Sequence, residues 1–508
     1  MARHGVAPVI YNASQIAPVV PDSQAHDSQE IVERVLNWLR GELTGHAFDG
    51  LEELGQIDVP SEVVPPGHGE ILDKLFPPDN LLQLKVERRF TGDKLEGYRI
   101  CASGRVGIFA VSDRDNEFLS ATITVRPKIP AASLLTMLSY ALVPELTAEQ
   151  RALIDVKDTQ TVSLVVLMYL LRIKQMIQEH GLQRSYIGLR EELRGTVRGR
   201  CTLSDYLSRN VPGGKAHIVP CTFWEFRIDS DPNRALRWGV EVCRMLADWF
   251  SAPKLVERVE ELWDSLAPHF SDVPVVQYDS SQVRRLPRCG RFTPYESAFE
   301  LLEFLLDNLS FDLIRGHVRI KGFSVQMWEV FELFVVNVLK SRMGDRVKGP
   351  QVPCDYDVRS EGGKVWNRKL YLDALLLGRR RFVLDTKWKE AIVSESYSGG
   401  NDTEMINFED LRISNADLFQ VVAYGKHRDI QAQGGILVYP VLEPVLACRQ
   451  RCILDFVGST ERGNSHPIFL IGVPVADTLA HSLEDFVGTI RQISDGQTEI
   501  ERNAEFGM

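Results

Sequence analysis

The sequence has 508 residues, of which 44% are hydrophobic and 25% are charged, a balance typical of soluble globular proteins with roughly two to four domains. Its net charge of −11 argues against a protein that coats nucleic acid with its whole surface, although a local basic site remains compatible with it. The chain has no apolar run of about 18 residues and no signal-peptide core near its start, so we expect a cytoplasmic protein that does not associate with a membrane.

Cysteine usage and nucleotide motifs narrow the function classes further. The eight cysteines are scattered and none forms a CxxC pair, which indicates reduced thiols rather than a disulfide framework or a zinc site. No G-x-x-x-x-G-K-[ST] phosphate-binding loop is present, so we expect that the chain itself binds no nucleotide. Any nucleotide-driven work must then come from a partner protein.

The N-terminal part of the chain is predicted to be rich in β-structure. Residues 1–30 are polar and lack periodicity, as in a flexible arm, and the spacing of apolar residues predicts a helix over 28–43. Short alternating runs over 81–129, punctuated by glycines, predict a small antiparallel β-domain. A helix is predicted over 132–142. We therefore assign 31–157 to an N-terminal β-rich domain.

The central region, 158–308, is predicted to be mostly helical and to bind a partner. Residues 231–233 (Asp-Pro-Asn) are typical of a helix start with proline in its first turn, and residues 293–296 (Thr-Pro-Tyr-Glu) have the spacing of a capping box. Between the helices lies a basic stretch, 184–209, expected to be a loop that is either a solvated surface or a contact for a partner or DNA phosphate. The arginines predicted to bind the partner are Arg190, Arg194, Arg198 and Arg200.

The last region, 309–508, has the pattern of an α/β domain with a mixed central sheet. An apolar helix is predicted over 323–343, followed by a β-hairpin and by a helix over about 415–425. Buried strands are predicted at 436–439 and 468–475. The sequence as a whole therefore predicts a multidomain α+β protein with a small N-terminal antiparallel β-domain, a mostly helical centre and a C-terminal α/β domain.

The hairpin at 371–390 contains the residues on which the functional assignment depends. Two apolar arms flank a Gly-Arg-Arg turn, which is typical of a β-hairpin. Asp373 and Asp385 are equidistant from the centre of the turn, so their Cβ atoms are expected to lie about 5 Å apart. Lys387 follows Asp385 by two residues and shares its face of the strand. Two acids and an amine on one face are suited to hold a divalent cation beside a scissile phosphate.

The Asp-x-Lys motif alone is weak, since short motifs occur by chance and residues 155–157 form a second copy. The copy at Asp385 differs because it lies in an apolar strand, faces another acid and is followed by a helix with a polar pair. That pair, Gln420 and Tyr424, shares one helix face, so we expect it to close the site against the lysine or a DNA strand. Glu332 interrupts an apolar face of the upstream helix and is a candidate third carboxylate.

The chemistry expected of this set is metal-dependent hydrolysis of a phosphodiester bond. Mg²⁺ prefers oxygen ligands, usually one or two carboxylates with waters and phosphate oxygens, and Mn²⁺ is expected to substitute for it. Asp373 and Asp385 would supply carboxylates, and the backbone carbonyl of Thr386 a third oxygen. Lys387 would orient water or neutralise charge on phosphorus. Four basic residues are predicted to contact DNA: Arg379, Arg380, Arg381 and Lys389.

The D…DxK hairpin with a following QxxxY resembles the PD-(D/E)xK nuclease superfamily, with Leu372 in place of the usual proline. More specifically, the chain resembles the McrC family, the nuclease subunits of modification-dependent McrBC restriction systems. The stretches that carry this resemblance occur in order over most of the chain, at 123–129, 134–141, 193–195, 198–200, 231–234, 293–296, 384–389 and 417–425. Residues 1–80 add nothing to it.

The resemblance implies a C-terminal PD-(D/E)xK nuclease domain that cuts modified double-stranded DNA in a type IV restriction system. It also implies a partner, McrB, a hexameric AAA+ GTPase whose pore the N-terminal region enters and whose hydrolysis it stimulates. Two alternatives stay open: a ring-activating adaptor that binds DNA without cutting it, and a stand-alone repair nuclease. The intact Asp373, Asp385 and Lys387 argue against the adaptor, and the large non-nuclease half argues against the stand-alone enzyme.

Overall fold

The structure, a computed structural model, describes most of the chain. The described residues are 22–42, 51–112, 120–142, 161–250, 252–314, 317–359, 365–389, 414–427, 429–441, 451–457, 465–475 and 479–496. Contacts divide the chain into two compact units, Met1–Ser103 with Ala110–Ile123, and Gly104–Phe109 with Thr124–Met508.

The first unit contains a small antiparallel sheet, which includes two of the strands predicted over 81–129, whereas two others, Arg105–Ser112 and Ser120–Arg126, belong to a different sheet. Its helices are α1 (Asp22–Leu39) and α2 (Gly69–Leu75), and its strands are β1 (Leu51–Glu52), β2 (Gln56–Val59), β3 (Lys85–Thr91) and β4 (Lys94–Cys101). Strand β4 pairs antiparallel with both β2 and β3. The expectation of a flexible arm over 1–30 is wrong for 22–30, which begin α1, because apolar residues such as Ile31 and Val35 bury one face of that helix; residues 1–21 lie outside the described residues.

Two strands, β5 (Arg105–Ser112) and β6 (Ser120–Arg126), have residues in both units. The helices that follow in the second unit are α3 (Ala131–Leu142), α4 (Thr161–His180), α5 (Asp231–Ala247), α6 (Pro253–Leu266), α7 (Ser280–Arg284) and α8 (Glu296–Asp307). Helix α4 is long and apolar enough to cross a membrane, but it is buried along most of its length, as expected of the central helix of a core.

The stretch that we expected to be a basic loop is instead a long β-hairpin. Strands β7 (Ser185–Arg194) and β9 (Ile218–Arg227) pair antiparallel over ten residues each, and β8 (Arg200–Cys201) pairs with the middle of β9. No residue of β7 is buried. The apolar residues of β7 alternate only in part, because the consecutive charged residues Arg190, Glu191 and Glu192 interrupt them, and the periodic signal that marks a strand is then weak.

Two predicted helix starts are also corrected. The capping box at Thr293 does not form, because Gly290–Tyr295 is a 3₁₀ helix and the Thr293 hydroxyl donates to the Gly290 carbonyl at 3.0 Å. The helix predicted from Phe323 begins only at Met327, since the preceding apolar residues belong to a strand that pairs with β5.

The C-terminal part of the second unit contains a mixed sheet of six strands between helices. The strands of this part of the chain are β10 (Leu309–Ile314), β11 (His317–Gln326), β12 (Val347–Lys348), β13 (Val352–Arg359), β14 (Val365–Leu372), β15 (Ala374–Leu377), β16 (Arg381–Thr386), β17 (Gly434–Val441), β18 (Arg451–Val457) and β19 (Ser465–Pro474). Its helices are α9 (Met327–Met343), α10 (Asn415–Gly425) and α11 (Leu479–Ser494). The six-stranded sheet has the order β12-β15-β16-β17-β19-β18, with β17 parallel to both neighbours. This confirms the predicted mixed central sheet.

Alternate residues of the central strands face opposite layers, as the pleat of a strand requires. On one face, Leu384 and Ile436 belong to the large apolar core that includes α9 and α11. On the other face, Leu437 packs with Val421 and Val422 of α10. Asp385 follows Leu384 and pairs in register with Leu437, so its side chain lies on the α10 face. The layers therefore fix which residues can approach this aspartate.

Candidate active site

The two aspartates lie side by side where the hairpin leaves its turn. Ala374 pairs with Leu384, so the next position outward places Asp373 beside Asp385, as the symmetry of the sequence predicted. The backbone amide and the hydroxyl of Thr386 both donate to Oδ2 of Asp373, at 2.6 and 2.7 Å. The register of the hairpin is therefore confirmed, and Thr386 holds the Asp373 carboxylate in place.

Asp373 stands at a bend that the sequence pattern did not show. The single predicted arm is two strands, because β14 pairs with β13 in a two-stranded ribbon and β15 pairs with β16 in the central sheet. Gly349, at φ +156°, passes close to the bend: a Cβ at this position would lie 2.6 Å from the carbonyl oxygen of Asp373. Only glycine permits that approach, so the sequence around Gly349 contributes to the site by leaving room for the bend.

Lys387 lies between the acid and the closing helix. Its Nζ is 2.7 Å from Oδ2 of Asp385 and donates to Oε1 of Gln420 at 3.0 Å. The Gln420 amide in turn donates to the Tyr424 hydroxyl at 3.1 Å, and the Tyr424 ring packs with Leu372 in a small core. The structure therefore brings together five of the predicted site residues, with α10 contacting the lysine as expected.

Helix α10 lies close to the sheet because β17 contains a glycine opposite it. A Cβ at Gly435 would lie 1.9 Å from Cγ1 of Val421, a distance that would displace the helix. The start of α10 is fixed by a capping box, in which the Ser414 side chain accepts from the Asp417 amide and the Asp417 side chain accepts from the Ser414 amide. Lys389 forms an ion pair with Asp417. Lys389, which we predicted to contact DNA, thus joins the end of β16 to the start of α10.

Burial controls the charge of the two aspartates. Asp385 is only 2% exposed, and burial followed by the neighbouring Asp373 raises its pKa to about 7, although Lys387 opposes this. Burial also raises the pKa of Asp373, against the hydrogen bonds from Thr386. Burial lowers the pKa of Lys387, but Asp385, together with Asp417 and Asp373, raises it and leaves it above its ordinary value. The lysine is therefore charged at neutral pH, while the acids share less than two full negative charges.

Glu332 is a third buried acid near this pair. It lies on α9, is 4% exposed and accepts a hydrogen bond from the Gln351 side chain at 3.3 Å. Burial, then repulsion from Asp373 and more weakly from Asp385, raises its pKa to about 7. Glu332 is therefore within electrostatic reach of the aspartates, and its catalytic role stays a prediction.

The donor set fits a hard divalent cation better than a transition metal. Oδ2 of Asp385 is buried and receives no hydrogen bond of acceptable geometry, although the Lys387 ammonium lies beside it. Within the described residues, no group of three or more histidine, cysteine, aspartate or glutamate side chains is arranged as a metal cage. Carboxylate oxygens are the ligands that Mg²⁺ takes, together with waters and oxygens of its substrate. Asp373, Asp385 and the Thr386 carbonyl remain the residues that would hold it.

The three arginines of the turn lie at the other end of the strand. Arg379, Arg380 and Arg381 are exposed, and the turn is tied to α11 by a hydrogen bond from the Arg380 amide to the Ser494 carbonyl at 3.1 Å. Four residues separate Arg381 from Asp385, or about 13 Å along a strand. A phosphate bound by these arginines would therefore be at least one nucleotide away from the aspartates, and their contact with DNA stays a prediction.

The arginines predicted to bind a partner lie on the hairpin of β7, β8 and β9. Arg190 forms an ion pair with Asp205, and Arg198 pairs with Glu225 at 3.3 Å and lies over the Phe223 ring. In the part of the chain that the structure describes, no ion pair forms at the other two arginines, and both are exposed. Those two are Arg194 and Arg200.

Two parts of the site were not predicted from the sequence. The hydroxyl of Thr386 was not expected to orient Asp373, since threonine in a strand is ordinarily a β-former. Asp417 was not expected to position α10, yet the pattern Ser414-x-x-Asp417 before an apolar run resembles a helix N-terminal signal. That signal could have identified it.

The part of the chain that matches a known protein family includes the residues of the candidate site. The family model described as "McrBC 5-methylcytosine restriction system component" matches residues 101–440, two thirds of the chain, and this range includes the hairpin of β7 and β9 as well as both aspartates, Lys387 and α10. A search of curated proteins gave no match.

Two solved structures are similar to this chain. The first is a refined half-complex from a tetradecameric assembly of Thermococcus gammatolerans McrB AAA+ hexamers with bound McrC, at 15% identity and a TM-score of 0.51, covering 87% of this chain and 99% of that chain. The second, a cryo-EM structure of the Thermococcus gammatolerans McrBC complex, is 18% identical with a TM-score of 0.37, covering 59% of this chain and 89% of that chain. The first supports a shared fold, and the family match, which covers more than half of the sequence, shows that the chain belongs to the McrBC family of 5-methylcytosine restriction system components.

Proposed function

We propose that this chain is the nuclease subunit of a McrBC-type restriction system, a McrC-like Mg²⁺-dependent endonuclease that cleaves modified DNA and works with an AAA+ NTPase. The observation that carries the proposal is the arrangement at the end of β16. Asp373 lies beside Asp385, Lys387 contacts Asp385 at 2.7 Å, and Gln420 of α10 holds the same ammonium at 3.0 Å. An ordinary salt bridge would need neither the second acid nor the second partner.

The residues of the chain divide the work of hydrolysis among them. Bound Mg²⁺ would supply a Lewis acid that polarises the phosphate and lowers the pKa of a coordinated water. Asp373, fixed by Thr386, and Asp385 would hold it in place. Lys387 remains charged beside Asp385 and would orient the attacking water or neutralise charge on the phosphate. Gln420, anchored on Tyr424, keeps the ammonium aimed at the site.

The family and the lack of a phosphate-binding loop motif in the sequence both support a partner that hydrolyses nucleotide. The chain has no phosphate-binding loop, whereas the similar structure from Thermococcus gammatolerans contains McrB AAA+ hexamers with bound McrC. We propose that the corresponding partner here is a hexameric McrB-like NTPase, with GTP as the expected nucleotide. Of the four arginines predicted to bind the partner, Arg194 and Arg200 are the proposed contact, because both are exposed and neither forms an ion pair within the described residues, so their guanidinium groups are available to a partner outside the chain.

The test separates cleavage from stimulation of the partner. Purified chain would be combined with the AAA+ protein from the same genome, plasmid DNA containing 5-methylcytosine, Mg²⁺, and GTP or ATP in separate reactions. We expect Asp385→Ala and Lys387→Ala to reduce cleavage by roughly 10²- to 10³-fold or more. Stimulation of NTP hydrolysis should be unchanged in both, since neither residue lies on the hairpin.

Matched controls come from the same domain. Asp429→Ala and Lys426→Ala remove an exposed acid and an exposed lysine near α10 and should leave cleavage intact. If both Asp385→Ala and Lys387→Ala still cut DNA, the site assignment is wrong. If neither wild-type nor variant chain cuts any DNA although the partner is stimulated, the adaptor alternative is correct.

A further inference from the structure

A closed ring of hydrogen bonds lies at the base of the β7–β9 hairpin, where Gln183 precedes β7 and Ile228 follows β9. This base, at residues 183 and 228, is called the foot of the hairpin. The amide of Gln183, two residues before β7, donates to the Tyr295 hydroxyl at 2.6 Å. That hydroxyl donates to Oδ1 of Asn233 at 2.7 Å, and Nδ2 of Asn233 donates back to the Gln183 carbonyl at 2.9 Å. The same Nδ2 donates to the carbonyl of Ile228, the first residue after β9, at 2.6 Å. One asparagine side chain therefore binds both ends of the hairpin.

The ring is buried and complete. Asn233 and Tyr295 both have 0% exposed surface, and every donor and acceptor of the two side-chain groups that the ring needs is used. A buried polar network whose members are all satisfied stabilises one geometry and penalises others, because any displacement leaves a buried group without a partner. The ring therefore specifies a direction for the hairpin as well as holding it.

Two arginines reinforce the same foot from outside. Arg291 donates to the Arg184 carbonyl at 2.8 Å, and its guanidinium lies 5.2 Å from the centre of the Phe226 ring on β9. Arg234, beside Asn233, donates to both carboxylate oxygens of Asp229 at 2.5 and 3.0 Å. These contacts link the ends of the hairpin to the start of α5 and to the 3₁₀ turn before α8.

The foot attaches the hairpin to the helical core, whereas the buried β9 residues Cys221 and Phe223 are not members of the large apolar core. No residue of β7 is buried, so the strand gains no support along its length from the helical core. At about 3.4 Å per residue its ten-residue strands extend about 30 Å, and a tilt of about 10° at the foot would move the far end by roughly 5 Å. Arg194 lies at that far end, opposite Ile218, and Arg200 lies opposite Thr222 at the middle of the hairpin. A displacement of this size would remove a side chain from any contact made there.

We propose that Asn233 and Tyr295 are positioning residues that fix the direction of the hairpin so that Arg194 and Arg200 reach the AAA+ partner. This inference rests on the partner contact proposed above. It also accounts for two stretches that support the family resemblance and that nuclease chemistry does not use, 231–234 and 293–296, since each contributes one member of the ring. The two stretches are 60 residues apart in sequence and meet only at the foot of the hairpin.

The experiment measures hairpin direction without the partner and partner stimulation separately. Spin labels attached to p-acetylphenylalanine at Arg209, near the far end of the hairpin, and at Glu257 on α6 report the distance between hairpin and core; both positions are exposed. We expect a narrow distance distribution in the wild-type chain and a broad one in Tyr295→Phe, which removes only the hydroxyl. In unlabelled chain, half-maximal stimulation of the partner should need roughly fivefold more Tyr295→Phe than wild type.

Tyr278→Phe is the matched control. Its hydroxyl donates to Asp231 at the start of the same helix, at 3.2 Å, but has no bond to the hairpin, so both readouts should match the wild type. Asn233→Ala is the second test variant, and circular dichroism verifies that each protein folds. Narrow distributions in both Tyr295→Phe and Asn233→Ala would overturn the proposal. Broad distributions with unchanged stimulation would also overturn it, because hairpin direction would then not serve the partner.

The two proposals fail in different ways. If Arg194→Glu together with Arg200→Glu leaves stimulation unchanged, the hairpin is not the partner contact and the proposed function must be revised there. The distance measurement needs no partner, so it reports on the ring of hydrogen bonds in either case.

Discussion

Asp385 is a buried carboxylate whose charged neighbours are Asp373, Lys387 and Asp417. Its protonation decides what the site can bind. In the folded chain its pKa, like that of Glu332, is raised to about 7, mainly by burial. In the unfolded chain both would ionise near pH 4. The folded state therefore retains protons between about pH 4 and pH 7 that the unfolded state has lost. Metal-free stability should fall as pH rises through this window and level off above it.

The first prediction is that Mg²⁺ stabilises the chain at about pH 8 and much less at about pH 5.5. A cation competes with protons for the same carboxylates, so it binds once they ionise and stabilises the folded state by mass action. Millimolar MgCl₂ should raise the melting temperature by roughly 2–4 °C at the higher pH. Differential scanning fluorimetry of the isolated chain measures this without partner or DNA.

Asp385→Asn should remove the effect of Mg²⁺ and reduce the pH dependence to the part that Glu332 contributes. Asp429→Asn, at an exposed position, should preserve both. An equal Mg²⁺ shift in wild type and Asp385→Asn would show that the metal binds elsewhere.

The residues of the site were predictable where local periodicity specifies them. Equal spacing about the turn placed Asp373 beside Asp385, and the period of two placed Lys387 on the same face. The elevated pKa of Asp385 was not predictable, because it depends on burial beneath α10, which is distant in sequence. The use of Thr386 to hold Asp373 also depends on the bend between β14 and β15. That bend is a tertiary feature for which the alternating pattern gives no signal.

At the scale of elements, α10 brings Gln420 to Lys387. The ion pair of Lys389 with Asp417 and the capping box at Ser414 fix the start of the helix, and Gln420, less than two turns later, reaches Lys387. Burial raises the pKa of Asp417, but hydrogen bonds from Lys389 and Ser414 lower it further, below its ordinary value. The carboxylate is therefore charged and contributes stability at neutral pH, which is lost as pH falls toward its folded pKa.

We predict that Asp417→Ala reduces both stability and cleavage. It removes the cap and leaves the lysine without its partner, which should cost about 1–2 kcal/mol of unfolding free energy. Cleavage should fall because Gln420 no longer stays on Lys387. Chemical denaturation and the plasmid cleavage assay measure the two effects. Asn415→Ala, at an exposed position in the first turn of the same helix, is the control and should change neither.

The same assays decide between two interpretations of Lys389. If it contacts DNA phosphate, Lys389→Ala should weaken DNA binding and reduce its salt dependence while stability stays unchanged. If it joins β16 to α10, Lys389→Ala should resemble Asp417→Ala, with lower stability. Equal effects of Asp417→Ala and Asn415→Ala would argue against the joining interpretation.

Prediction of elements from sequence succeeded where one face is buried and failed where none is. The helix over 161–180 and the strands around 436–439 have strong apolar patterns because the core surrounds them. The sequence favours a loop where β7 of the hairpin lies, because no residue of this strand is buried and the run of charged residues at 190–192 interrupts its apolar alternation. The strands of the hairpin are held by each other and by the foot formed at Asn233 and Tyr295, and contacts between residues this far apart in sequence leave no periodic signal.

At the scale of the whole molecule, the proposed function assigns cutting and partner contact to different elements. The aspartates lie at the end of β16, whereas the exposed arginines lie on the β7–β9 hairpin. Substitutions in one set should therefore leave the other activity intact. This independence makes a chain that binds its partner but cannot cut a specific competitor of the wild-type chain, because each AAA+ assembly would accept either.

The last prediction is that Asp385→Ala inhibits cleavage by the wild-type chain. When the two are mixed with limiting partner, inhibition should increase with the fraction of Asp385→Ala, reaching about tenfold at tenfold excess if both bind equally. Adding Arg194→Glu and Arg200→Glu to Asp385→Ala should relieve the inhibition, since reversed charges prevent the hairpin contact. Inhibition that persists in this combined variant would mean that competition occurs for DNA instead. No inhibition by Asp385→Ala would mean that cutting needs no shared partner, as in a stand-alone nuclease.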